Sequence, residues 1–210
     1  MAKLNNGILG PMTGKAGPLI GSSWKGIPYV KARPRKRTKR VGKGEAANRN
    51  RFGMAQYWLK PILGFVRQGF KGYTRTSEGF VAAKSYLLLN AVEETTSGFV
   101  IDPALVKVSF GDLPLPENIA VGLVDEQYLQ FTWDVTNSEG GSPADQVMLL
   151  AYDVIRKDAY YTTTGQFRKM GMDRLMISTM PETTYHLYFA MVAADRNSQS
   201  DSVYFGTISI

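Results

Sequence analysis

Apolar and polar positions change period twice along this chain. Over the first 30 residues no helical period develops. Glycine recurs instead, with Gly7, Gly14 and Gly21 seven apart and Gly10 and Gly17 between them, and GPMTG and GPLIG form a short internal repeat. Each glycine disfavours helix by about 1 kcal/mol relative to alanine, so extended backbone with tight turns is expected. Ser22 to Gly26 reads as a turn, and Ile27 to Ala32 as a strand with Pro28 near its start.

From Glu45 the period becomes helical. Phe52, Ala55, Leu59, Ile62, Leu63, Val66 and Phe70 fall on one face at spacings of three and four. Pro61 must interrupt that face, because an interior proline removes a hydrogen bond and clashes with the preceding turn. The pattern predicts a helix, a break, and a short second helix ended by Gly69 and Gly72. A third helix is predicted from Glu78 to Asn90, capped by Ser77, with Phe80, Val81, the Lys84 stem, Leu87, Leu88 and Ala91 on its buried side.

Beyond Gly98 the pattern turns to short apolar or alternating runs: Leu105 to Phe110, Ile119 to Leu123, Tyr128 to Val135, Gln146 to Ile155, Ala159 to Thr163, Gln166 to Met170, Arg174 to Thr179, Thr184 to Ala193 and Ser202 to Ile210. Clusters of turn formers separate them, and no helical stretch intervenes, which predicts an antiparallel sandwich. The fold class is therefore read as α+β: a glycine-rich extended or β segment and basic arm over 1–44, a connector of two to three helices over 45–97, and an antiparallel β-sandwich over 98–210.

Charge sharpens this division. The net charge of +7 conceals a split, for residues 1–75 hold 17 of the 25 lysines and arginines but only one acid, Glu45, while residues 76–210 hold 8 bases and 17 acids. The densest run, KARPRKRTKRVGK, places Lys31, Arg33, Arg35, Lys36, Arg37, Lys39, Arg40 and Lys43 within thirteen residues and offers almost nothing to bury. It is expected to be extended and to order only on a partner. Lys15 and Lys25 add to this arm, whose partner is a polyanion or the acidic surface of another copy.

Composition narrows the chemistry. Cysteine is absent and His186 is the single histidine, which excludes disulfides, thiolate catalysis, and cysteine- or histidine-rich metal sites. No cofactor is expected. The stretch GPMTGKAGPLIG resembles a phosphate loop only superficially: three residues separate Gly10 from Gly14, Ala16 stands where a magnesium-binding hydroxyl is needed, and Gly17-Pro18 blocks the helix that should face phosphate. A triad would need His186, which alternation puts on one face of a strand as a surface or rim histidine. Glu93-Glu94 and Asp125-Glu126 read as solvated charge in loops. No run approaches the roughly 18 apolar residues of a membrane helix, and the opening residues lack a signal peptide's basic start and apolar core, so neither a span nor a Sec-type export address is expected.

Two resemblances add to this reading. LQFTWDVT, from Leu129 to Thr136, resembles the second strand of fibronectin type III domains, with Trp133 at the core tryptophan position. Thr184 to Ser202 resembles their sixth strand and following loop, with Tyr185 or Tyr188 at the corner tyrosine; such sandwiches serve mainly in binding and assembly. The N-terminal half is similar to a bacterial family of uncharacterised proteins of about this length, which share a GK-x-G, G-S-x-W-K-G and Y-x-R/K-x-x-P series followed by a basic stretch and an amphipathic helix. Here Gly14, Lys15, Gly17, Gly21, Ser22, Trp24, Lys25, Gly26, Tyr29, Lys31 and Pro34 carry the series.

The function expected is a non-enzymatic structural protein that self-assembles into a filament, ring or larger particle through its basic arm and acidic sandwich. The alternative is a nucleic-acid-associated protein that grips phosphate backbone through the arm. Trp24, Tyr29, Phe52, Tyr57 and Trp58 could stack on bases in that case, but are more simply expected in the core of the N-terminal module. An adhesion or sugar-binding sandwich, with Tyr160 and Tyr161 stacking, is a further reading.

Overall fold

The N-terminal glycines build a β-meander. In the computed structural model, which describes residues 2–7, 10–24, 26–36, 38, 40–96, 98–125, 127–135 and 140–210, strands β1 (Lys3–Leu4), β2 (Met12–Ala16), β3 (Leu19–Trp24) and β4 (Ile27–Ala32) form an antiparallel sheet in that order. Gly17, at φ 54°, turns β2 into β3, and Gly26, at φ 82°, supplies left-handed backbone before β4. Gly14 and Gly21 face one another across β2 and β3. A Cβ at Gly21 would lie 2.0 Å from the Met12 carbonyl oxygen, so only glycine permits this approach. β3 runs on through Trp24, where the sequence suggests a turn from Ser22.

The chain divides into two units, Met1–Lys43 and Gly44–Ile210. In the second, α1 (Lys43–Leu59) ends just before Pro61, and α2 (Leu63–Gly69) and α3 (Gly79–Asn90) follow. Ser77 does not cap α3: Glu78 occupies the cap, and the Ser77 amide donates to the Thr74 hydroxyl at 2.8 Å. A two-stranded hairpin, β5 (Val92–Thr95) and β6 (Gly98–Ile101), comes next. Among the described residues, seven strands then complete the unit: β7 (Ala120–Val124), β8 (Tyr128–Thr132), β9 (Gln146–Asp153), β10 (Asp158–Thr162), β11 (Met172–Met176), β12 (Thr184–Val192) and β13 (Val203–Ser209). They pair antiparallel in a three-stranded sheet, β11-β8-β7, and a four-stranded sheet, β10-β9-β12-β13.

Strands β9 and β12 lie between two cores. On one face Val147, Leu149, Ala151, Leu187, Phe189 and Met191 meet Leu129, Phe131, Trp133 and Leu175 of the three-stranded sheet. On the other, Met148, Leu150, Tyr152, Tyr188, Ala190 and Val192 share a core with Trp58, Leu59, Ile62, Phe65, Val66 and Leu87 of the helices. A strand buried on both faces reads as a continuous apolar run, as MLLAYD and LYFAMV do. Each of these large side chains contributes about 1.5–3 kcal/mol by leaving water. The helices expected as a connector are thus the outer layer of the same unit, pinned where the Tyr152 hydroxyl donates to the Trp58 carbonyl at 2.9 Å.

Other expectations differ locally. Leu105 to Phe110 is not a strand; Val106 and Val108 plug the helix-side core from irregular backbone. Gln166 to Met170 ends in a short 3-10 turn at Arg168–Met170, because Arg168 is drawn inward to a buried carboxylate. Phe52 and Val81, assigned to buried helix faces, are exposed, since Ala55, Trp58 and Leu59 of α1 and Ala82, Ala83 and Leu87 of α3 make the contacts instead.

Candidate assembly and polyanion-binding surfaces

Pairing registers sort the N-terminal sheet into two unlike faces. Lys3 pairs with Thr13, Lys15 with Ile20, Ile20 with Lys31, Ser22 with Tyr29 and Trp24 with Ile27, and alternation puts all of these on one face. The pairing continues one step beyond β4, where the Arg33 amide donates to the Pro18 carbonyl at 2.7 Å, so Arg33 joins them. Leu4, Met12, Gly14, Ala16, Leu19, Gly21, Pro28, Val30 and Ala32 take the other face. One surface carries the cations and aromatic rings with Ile20 and Ile27 among them; its reverse is apolar apart from Ser23.

Among the described residues, almost nothing lies beneath the apolar face. Leu4 is 51%, Leu19 47% and Val30 54% exposed, and Gly21 alone among the described residues of β1 to β4 is buried. A shallow depression of about 440 Å³ runs over Leu4, Met12, Leu19, Pro28 and Val30. Bonding pairs alternate along an antiparallel ladder, and the Arg33 bond to Pro18 sets their phase. Pro28 accordingly falls where an amide would point away from β3, the position a proline tolerates on an edge strand.

The basic face groups charge and rings. The Lys31 ammonium lies 5.7 Å from the Tyr29 ring centroid. The Ser22 hydroxyl beside the phenol, with the Lys31 charge second, holds the Tyr29 pKa below its usual value. Trp24 is 53% and Tyr29 42% exposed, so these two rings are not core residues of the N-terminal module. Neither are Phe52 and Tyr57, which are exposed on α1; Trp58 alone of the five is buried.

The predicted arm is therefore in two parts. Lys15, Lys31 and Arg33 stand together on the sheet, with Lys3, which the sequence reading passed over although period-two alternation marks it. Arg35, Lys36 and Arg40 follow in exposed irregular backbone with Pro34, and Lys43 opens α1. Lys25, Arg37 and Lys39 lie outside the described residues, as do Glu126 and Thr136.

In the sandwich, Trp133 donates its indole N–H to the Arg168 carbonyl at 2.8 Å and packs against Phe189. The two candidate tyrosines part company. Tyr185, at the start of β12, donates to the Ser178 carbonyl seven residues upstream, at 3.1 Å. Tyr188 points to the opposite core and donates to the Pro103 carbonyl at 2.7 Å. Burial raises the pKa of both hydroxyls. His186 is half-buried, its Nδ1 2.8 Å from the Tyr204 hydroxyl, and burial depresses its pKa. Glu93 and Glu94 are exposed on the β5–β6 hairpin. Among the described residues no helix is long and apolar enough to cross a membrane.

The chain belongs to a family of unknown function (DUF6266), whose model matches residues 11–206. No curated protein matches it.

Proposed function

We propose that the protein is a non-enzymatic structural subunit that self-assembles head to tail, the apolar face of one copy's N-terminal sheet seating on the strand-rich unit of the next. The observation that carries this reading is a four-stranded sheet with an apolar face and, among the described residues, no core behind it. An apolar sheet face is stable when another layer covers it, about 10 Å away. Charge selects the covering layer: residues 1–43 hold 11 lysines and arginines and no acid, whereas 44–210 hold 14 bases and 18 acids. Pairing two N-terminal sheets would set like charge against like, and seating a sheet on the second unit joins opposite charges. Such a heterologous contact propagates into a ring or filament.

Within that unit, apolar exposure rather than charge marks the receiving surface, the border of β11 where Met170, Met172, Met176 and Met180 are all exposed. Unbranched thioethers adapt to a partner's contour, which suits a docking surface. The sandwich itself is read as fibronectin type III-like. That reading is supported by the three-plus-four strand arrangement, by Trp133 following the second of the seven strands, and by Tyr185 bonding back to the chain from the start of the sixth.

Sedimentation of the purified chain tests the proposal. Species larger than a monomer are expected at low salt, shrinking at high salt, with an absorbance ratio that shows no nucleic acid is needed. The double variant Leu19→Gln, Val30→Gln is expected to sediment as a monomer with its second unit folded. A parent chain that is monomeric throughout, or a variant that assembles unchanged, overturns the reading.

A further inference from the structure

We infer that the basic, aromatic face of the N-terminal sheet is a binding platform for single-stranded nucleic acid, independent of the apolar face that docks the next copy. Along β4 and its extension, Tyr29, Lys31 and Arg33 stand two residues apart, presenting a ring and two cations over about 14 Å of strand. Across the sheet the same face adds Lys15 and Lys3, on β2 and β1, and Trp24 on β3. Residues 1–43 contain no carboxylate that could neutralise this face from within. Arg35 and Lys36 continue the positive charge into the exposed segment that follows.

The chemistry points to single strands rather than to any other polyanion. Cations alone would serve a purely electrostatic ligand, and solvent-exposed tryptophan and tyrosine would then add only apolar cost. Their ring faces match unstacked bases, which a single strand offers and a duplex keeps inside its stack. The Lys31 ammonium over the Tyr29 ring puts a phosphate-binding charge beside a base-stacking surface. A sheet has two sides, so this ligand and the neighbouring copy do not compete.

Fluorescence anisotropy of a labelled 20-nucleotide oligothymidylate, titrated with the full chain at several salt concentrations, tests the inference. Binding is expected, with log K falling linearly as log salt rises. Lys15→Gln with Lys31→Gln is expected to flatten that slope by about 1.4, from about 0.7 per phosphate contact on a single strand. Tyr29→Ala and Trp24→Ala are each expected to weaken binding roughly tenfold. All four positions are exposed or on the sheet surface, and circular dichroism shows whether the variants keep their fold. Absence of binding, heparin binding as tightly as the oligonucleotide, or aromatic variants that bind like the parent would each overturn the platform. The Leu19→Gln, Val30→Gln chain separates the two ideas: it is expected to bind the oligonucleotide as a monomer, and assembly lost without binding lost shows that the faces act independently.

Discussion

Arg168 Nε donates to the Asp145 carboxylate at 3.3 Å, with 1% and 2% of the two side chains' surfaces left to solvent. The guanidinium also donates to the Pro114 carbonyl, and the Arg168 carbonyl receives the Trp133 indole N–H. One ion pair therefore ties together the segment before β7, the end of β8 and the loop before β9. Removing one partner leaves a buried charge uncompensated. Asp145→Ala is expected to cost about 3–5 kcal/mol in urea denaturation, far more than an exposed ion pair such as Glu45 with Arg49.

Tyr185 and Tyr152 anchor the two cores by single hydroxyls, to Ser178 and Trp58 respectively. Phenylalanine at either position should lower stability by about 1 kcal/mol. Hydrogen exchange tells them apart: Tyr185→Phe should speed exchange near 176–180, and Tyr152→Phe in the last turn of α1.

His186 makes stability pH-dependent. Burial is the largest cause of its depressed pKa, opposed by the charges of Asp153 and Asp102. Released in the unfolded chain, it titrates near the ordinary value of about 6.5. On acidification the unfolded state takes up the proton first, so stability falls as pH drops below about 6.5 and is regained as pH rises through that window. His186→Gln is expected to reduce the loss seen by denaturation between about pH 7.5 and about pH 5.

Gly21→Ala would drive a methyl group against the Met12 carbonyl. The meander is expected to open while the second unit holds. Limited proteolysis should cut faster within 1–43, and the denaturation midpoint of the remainder should stay within error of the parent.

What the sequence made legible was what short-range chemistry decides. Pro61 breaks the helix because its own ring forbids continuation, and the runs that became β9 and β12 are apolar enough to declare themselves strands. Ser77 failed as a cap, since a local turn through Thr74 claims its amide. Long-range packing was not legible. Nothing local distinguishes a helical connector from a layer that shares Met148 and Leu150 with the sheet. Phe52 and Val81 sit on the right period but stay exposed, and which core Tyr185 or Tyr188 enters depends on what packs against each face of β12. The two-faced sheet was hidden for a different reason. Alternation was present throughout, but its phase depends on where Gly17 and Gly26 turn the chain.

That dependence places a parity rule on the first 33 residues. With Gly14 opposite Gly21, the distance from Lys15 to Lys31 is counted through two reversals that keep both on one side. A single inserted or deleted residue within β3 would shift one strand by one step and send Lys31 to the side of Leu19. Paired changes would leave both sides intact. Length variation in this segment should therefore come in twos, and a chain that broke the rule would set lysine among the apolar residues and valine among the cations.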